Sequence, residues 1–306
     1  MPPKASRNKT IRLEKKQISS LVSSAIKLKN KSSFDKVENK IIWQDSLQAI
    51  DKLPDKCVDL MIVDPPYNLT KNFGSSTFHE MSNDDYAKWL DKWLKKTVRV
   101  LKDNASVYIC ADWKTSIAIP YIAGKYFILQ NRISWEREKG RGAQNNWKNC
   151  LEDIWFFTKS KDYKFYLDRV KILREVIAPY RNTEGNPKDW FEKGNKKMRL
   201  THPSNIWTDI SVPFWSMSEN TDHPTQKPEK LIAKLILASS DENDVIFDPF
   251  LGSGTTAVVA KKLNRRFVGI EKEKEYVALA LTRLEMAEEN PQIQGFEDGV
   301  FKPRNM

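Results

Sequence analysis

Two apolar stretches far apart in the chain each run out into Asp-Pro, and that repetition narrows the fold sharply. Val58–Val63 reads as a buried strand and delivers Asp64-Pro65-Pro66-Tyr67-Asn68. The stretch 245–247 delivers Asp248-Pro249-Phe250-Leu251-Gly252-Ser253-Gly254-Thr255-Thr256, where a helix starts. Further strand-like runs at 41–44, 106–110, 127–135, 154–158 and 266–270 alternate with helical periodicity at 47–53, 84–101, 229–239, 255–263 and 273–289. Such alternation predicts an α/β fold built on a doubly wound, mostly parallel sheet, with ligands at the carboxyl ends of the strands.

The remaining segments divide the chain. Residues 1–38 form a Lys-rich extension in which Ile18, Leu21, Val22, Ala25 and Ile26 fall at helical spacing. Residues 39–159 carry the first Asp-Pro junction and 222–290 the second. Between them, 160–221 loses clear periodicity and gains Pro, Asn, Trp and Lys, as an inserted recognition region would; 291–306 is left as a tail. The polar, Gly- and Ser-bearing stretch 70–85 reads as a mobile loop.

With 51 Lys and Arg against 40 Asp and Glu, the formal charge of +11 points to a polyanionic partner, although part of the excess lies in the extension. No apolar run is long enough to cross a bilayer and the basic start is no secretory leader, so a soluble cytoplasmic protein with no membrane partner is expected. Cys57, Cys110 and Cys150 show neither metal-ligand nor disulfide-framework spacing; no metal site is expected, and a reducing compartment fits.

At the second junction, Gly252 and Gly254 let the backbone pass close to a ligand where a β-carbon would collide. Amides at the helix start, Thr255 and Thr256, can bond an anionic group. The next strand ends at Glu271, where a carboxylate can accept both hydroxyls of a ribose. Thr256-Ala257 stands where a dinucleotide fingerprint needs its third glycine, so a nucleoside-type cofactor is favoured over a dinucleotide or a plain Gly-rich turn. At the first junction, the Asp64 carboxylate and the Pro65 carbonyl form a pair of acceptors stiffened by two prolines, with Tyr67 as a stacking surface. Alone, that block would equally suit a rigid surface turn.

Together the two blocks, in this order around a variable region, resemble the β group of S-adenosylmethionine-dependent DNA amino-methyltransferases, the adenine-N(6) and cytosine-N(4) family that often partners restriction enzymes. The resemblance covers about residues 40–285. It implies a Rossmann-like class I methyltransferase fold with an inserted target-recognition region, S-adenosylmethionine as cofactor and double-stranded DNA as substrate. Asp64 and Pro65 would hold the amino N–H donors of a flipped base, Pro66 would stiffen the turn, and Tyr67 would stack on the base. On the cofactor side the resemblance implies Asp45 (otherwise a helix cap), Asp64, Asp248, Phe250, Gly252, Ser253, Gly254, Thr255, Thr256 and Glu271. It adds Thr225, Gln226 and Lys227, from His223-Pro224-Thr225-Gln226-Lys227-Pro228, at the cofactor's carboxylate; His223 reads as structural. The segment 151–159 is similar to the strand that lines the family's target-base pocket, with the role of Glu152 open.

An Asp heading the tetrapeptide is typical of adenine-modifying members, so transfer to the 6-amino group of adenine is expected. The alternatives are cytosine 4-amino methylation, an inactive DNA-binding regulator, or action on RNA. Cytosine carbon-5 chemistry needs a cysteine nucleophile, normally after proline, and no cysteine here follows one. Phosphate and base contacts are expected from Arg137, Lys139, Arg141 and Lys148 with Gln144, Asn145 and Asn146. Arg169, Arg181, Lys188, Lys196, Lys197 and Arg199 are further candidates, and the stretch 73–79 would close over the extruded base. A homodimer and a cognate restriction endonuclease are family-level expectations.

Overall fold

In the computed structural model, which describes residues 7–137, 144–177 and 180–304, helices and strands alternate through most of the chain. Helices α1 (Lys15–Leu21) and α2 (Phe34–Val37) precede β1 (Lys40–Trp43), α3 (Ser46–Ala49) and β2 (Val58–Val63). A small hairpin, β3 (Lys71–Phe73) and β4 (Ser76–Phe78), leads into α4 (Asn83–Thr97), β5 (Leu101–Ala111), α5 (Ile119–Ala123), β6 (Ile128–Glu136) and β7 (Leu151–Thr158). Then come β8 (Ile172–Glu175), β9 (Phe191–Lys193), β10 (Lys196–Thr201) and β11 (Ile206–Trp207). The chain closes with α6 (Glu229–Ser239), β12 (Val245–Asp248), α7 (Thr255–Lys262), β13 (Arg266–Glu271), α8 (Lys274–Glu289) and the hairpin β14 (Phe296–Glu297)–β15 (Val300–Phe301).

Eight strands form the main sheet in the order β1-β13-β12-β2-β5-β7-β6-β11. Pairing is parallel throughout except where β7 meets β5 and β6, so β7 alone runs against the rest. All six residues of β2 are buried, as befits a central parallel strand covered on both faces. Leu60 and Ile62 join the core under α6, α7 and α8, while Met61 and Val63 join the core under α4 and α5. From β2 the chain continues outward to β5, and from β12 outward to β13. The neighbouring pair β12–β2 is therefore the topological switch point, and its carboxyl ends carry Asp248 and Asp64.

Three segments differ from their sequence expectation. The amphipathic stripe in the extension is not one helix: α1 stops at Leu21, and Ile26 pairs with β1 instead, its amide donating to Ile41 O and its carbonyl accepting from Trp43 N. Edge strand β1 thereby gains cover for its open hydrogen bonds. The polar stretch after Leu69 holds the β3–β4 hairpin, whose turn at Gly74 (φ +57°) lets Ser75 donate from N and Oγ to Glu273 at the head of α8. The tail is also structured. Its hairpin joins β8, β10 and β9 in a second, five-stranded sheet, order β14-β15-β8-β10-β9, while β11 of the 160–221 region belongs to the main sheet. Among the described residues no helix is long and apolar enough to cross a membrane.

Candidate active site

Four acidic side chains stand at the carboxyl ends of four adjacent strands: Asp45 after β1, Glu271 on β13, Asp248 on β12 and Asp64 after β2. Each shapes the loop that follows it. Asp248 accepts from Phe250 N (3.0 Å) and Thr256 Oγ1 (2.7 Å), which draws the turn between strand and helix tight. Glu271 accepts from Gly252 N (2.8 Å) and Glu273 N (2.7 Å). Asp45 caps α3 through Leu47 N (3.0 Å). Burial makes ionisation costly, pushing Asp248 up to about 7 and Glu271 above the ordinary carboxylate range.

The two glycines of the turn do different work. Both have positive φ, +54° at Gly252 and +88° at Gly254. A β-carbon at Gly252 would lie 3.0 Å from the His223 ring, whereas one at Gly254 would lie 2.6 Å from the β-carbon of Ala280. Gly252 therefore borders the site, and Gly254 permits the close approach of α7 to α8. Gly254 is the one expected cofactor residue that does not line the cavity at this edge of the sheet; the others do, together with Asp64, Pro65, Pro66 and Tyr67. The two Asp-Pro blocks therefore share one cavity. Phe250 packs in its wall against Trp89 and Trp93, ring centroids 5.8 and 5.4 Å away.

In the hexapeptide before α6, the Gln226 carboxamide is spent on its own loop, accepting from Thr221 and donating to Glu219 O. The His223 ring abuts Tyr276 at 4.3 Å; burial, with the Lys227 charge nearby, pulls its pKa down to about 3, so it is neutral. Lys227 reaches the first Asp-Pro block. Its ammonium meets Asp64 Oδ2 at 2.5 Å, Tyr67 Oη at 3.2 Å and Glu152 Oε2 at 3.3 Å. Tyr67 also donates to Glu152 (3.3 Å), and Arg137 pairs with the other oxygen of Glu152. The segment behind Asp64 is held rigid: Tyr86 donates to Pro66 O (2.9 Å), and Asn68 exchanges two bonds with the Met81 backbone. Asp64 Oδ1 is buried and has no hydrogen-bond partner among the described residues.

Sequence reasoning left the role of Glu152 open and assigned neither Arg283 nor the Trp89–Trp93 pair to the site. The tryptophans lie i, i+4 on α4, a spacing that reads as plain core. Arg283, fully buried, ties Ser253 O and Thr255 Oγ1 to Glu229 on α6, and no local pattern announces it. Among the expected DNA contacts, Arg137 points inward to Glu152, and its amide donates to Cys150 O (2.6 Å), closing the base of the arm between β6 and β7. Gln144, Asn145, Asn146 and Lys148 are exposed on that arm; Lys139 and Arg141 lie outside the described residues. Arg169, Lys196 and Arg199 are engaged in ion pairs with Asp241, Glu175 and Asp189, respectively.

A family model described as DNA methylase matches residues 58–282. The chain is 34% identical over 258 residues to the type II methyltransferase M.HpaI of Haemophilus parainfluenzae, covering 81% of this chain and 75% of that protein. It is also 34% identical over 254 residues to the DNA adenine methyltransferase YhdJ of Escherichia coli, covering 81% and 83%. Among solved structures, the cytosine-N4-specific PvuII DNA methyltransferase matches with a TM-score of 0.59 at 18% identity, over 80% of this chain and 85% of that one. The M1.HpyAVI–SAM complex matches with 0.51 at 21%, over 80% and 98%. These two likenesses establish the Rossmann-like fold. Shared sequence along most of its length makes this chain a member of the DNA methylase family, an S-adenosylmethionine-dependent DNA amino-methyltransferase.

Proposed function

We propose that the protein methylates the 6-amino group of adenine within a specific sequence of duplex DNA, acting on a base turned out of the helix. One observation carries this reading: Asp64 offers a buried oxygen without a partner among the described residues, at the end of a strand, beside a rigid Pro-Pro turn. A buried acceptor of this kind is costly unless something donates to it. An adenine amino group has two N–H donors and a lone pair delocalised into its ring. With Asp64 Oδ1 accepting one N–H and the Pro65 carbonyl the other, the nitrogen is drawn towards tetrahedral geometry and its lone pair is localised. Bound S-adenosylmethionine supplies a methyl already activated on its sulfonium, so no covalent enzyme intermediate is required. Asp64 retains the amine proton's partner position until the proton passes to solvent.

The cavity suits that cofactor. Glu271 keeps lone pairs free for ribose hydroxyls after accepting its two amides, and Phe250 with the Trp pair forms an apolar wall. The name of YhdJ specifies adenine, and Asp64 heads the tetrapeptide; both favour adenine over cytosine. The arm bearing Gln144, Asn145, Asn146 and Lys148 is proposed to meet the DNA. A homodimer, a cognate endonuclease and a cytoplasmic setting belong to the same reading. To test it, DNA from cells expressing the protein is sequenced with a modification-sensitive method and digested to nucleosides. 6-Methyladenine at one recurring motif is expected; 4-methylcytosine, or unmodified DNA, overturns the reading.

A further inference from the structure

We propose that Lys227 is a positioning residue for methyl transfer: its ammonium, clamped between Asp64, Tyr67 and Glu152, keeps Asp64 an anionic acceptor aimed by one oxygen. The inference rests on the amino-methylation reading and assigns Lys227 to the acceptor side of the site rather than to the cofactor's carboxylate.

The geometry is specific. Lys227 is 7% exposed and Glu152 4%. Two carboxylates, from the end of β2 and from β7, share this one cation. Glu152 has a second cation, because Arg137 reaches its other oxygen from the foot of the arm; among the described residues, Asp64 forms an ion pair with Lys227 alone. The other groups facing this point do not replace it. Tyr67 is a phenol whose proton is held firmly by burial and by the two carboxylates. Cys110, at the end of β5, is likewise kept a neutral thiol by burial. His223 is neutral, Asp248 across the cavity is acidic, and Lys71 on β3 is itself pulled towards neutrality by burial and by Arg137. Lys227 stays protonated beside Asp64 and Glu152, so it serves as a fixed charge and not as a base.

Without that charge, Asp64 faces Glu152 across a buried space, and taking up a proton relieves the repulsion. A protonated Asp64 donates a hydrogen bond where the amine needs an acceptor, so transfer fails until higher pH removes the proton.

The test uses full-length Lys227→Met and Lys227→Arg proteins with saturating S-adenosylmethionine and the duplex that the wild type modifies. Single-turnover rates are followed against pH, cofactor affinity by calorimetry, and carboxyl protonation by infrared difference spectroscopy of the ligand-free proteins. For Lys227→Met the acidic limb of the rate should move up by ~1–3 pH units, lowering the rate by up to ~10- to 1,000-fold on the acidic side of the wild-type limb, with recovery as pH rises. Relative to the wild type, an additional protonated-carboxyl band should appear at pH values between the wild-type and variant limbs and vanish in the Lys227→Met/Asp64→Asn double variant; Lys227→Arg should restore the wild-type limb. An unmoved limb with only weakened cofactor binding, or no additional carboxyl band, overturns the proposal. If Lys227→Met does not fold, Glu152→Gln decides: Lys227 then serves Asp64 alone, so the limb stays or moves down, and an upward move is fatal. A wild type that modifies no DNA refutes the functional reading, while the infrared arm still judges the charge assignment.

Discussion

Asp64 is held by one oxygen and offers the other, so its removal should be felt in chemistry before binding. Asp64→Ala is expected to cut single-turnover transfer by roughly 10²–10³-fold or more while calorimetry finds cofactor affinity largely intact. The buried acids also set a pH dependence. Asp248 is raised to about 7, Glu271 is raised by burial, and Glu219 is raised by burial and by the neighbouring Glu229 carboxylate. A carboxyl that binds its proton more tightly when folded contributes stability below its unfolded pKa, and that contribution is lost as pH rises through the folded value. His223, lowered to about 3, works in the opposite sense, losing its contribution as pH falls below the unfolded histidine value. Three raised carboxyls outweigh one histidine, so urea unfolding of the ligand-free protein should show stability falling between about pH 5 and pH 7. Asp248→Asn should make that fall shallower; an unchanged slope would show that Asp248 ionises freely in the folded state.

At the scale of elements, the strand–turn–helix unit from β12 to α7 separates two demands that look identical in sequence. Gly254 is needed because α7 and α8 touch there; Gly252 is needed because the His223 ring and the cavity lie beside it. Gly254→Ala should therefore cost stability, roughly 1–3 kcal/mol in denaturant unfolding, from strain at positive φ and from the Ala280 contact. Gly252→Val should instead weaken cofactor binding by more than about tenfold in a calorimetric titration, as its branched side chain displaces His223 into the cavity. The β3–β4 hairpin was not legible because each strand is three residues long and half-exposed. Its order comes from Glu273, near in space and distant in the chain. The arm between β6 and β7 was legible as polar and basic, but the inward turn of Arg137 was not, since it depends on where β7 places Glu152.

Across the whole molecule, the double winding of the sheet makes neighbours of β2 and β12 and so builds one cavity from two remote blocks. The last hairpin ties the second sheet to the body. Phe301 is fully buried, pairs with Ile172 of β8 and packs against the tilted ring of Phe296, centroids 4.5 Å apart. Beside it, Lys234 on α6 is bound to Asp209 by two 2.8 Å contacts. Phe301→Ala should destabilise the protein by roughly 3–5 kcal/mol in equilibrium unfolding, although it lies in a tail with no family counterpart in the sequence. A loss below about 1 kcal/mol would mean that the hairpin is an appendage.

Sequence by itself determined the strand ends, the glycine turn and the acid after β13, because each is a local arrangement whose chemistry is written in neighbouring residues. It therefore determined the fold class and the pairing of an acceptor block with a cofactor block. Only the tertiary structure decided where Lys227 points, that Glu152 and Arg137 complete its surroundings, and that the tail closes a second sheet. Those contacts join residues distant along the chain, and their energies depend on burial and on charges brought close by folding, which no local pattern encodes.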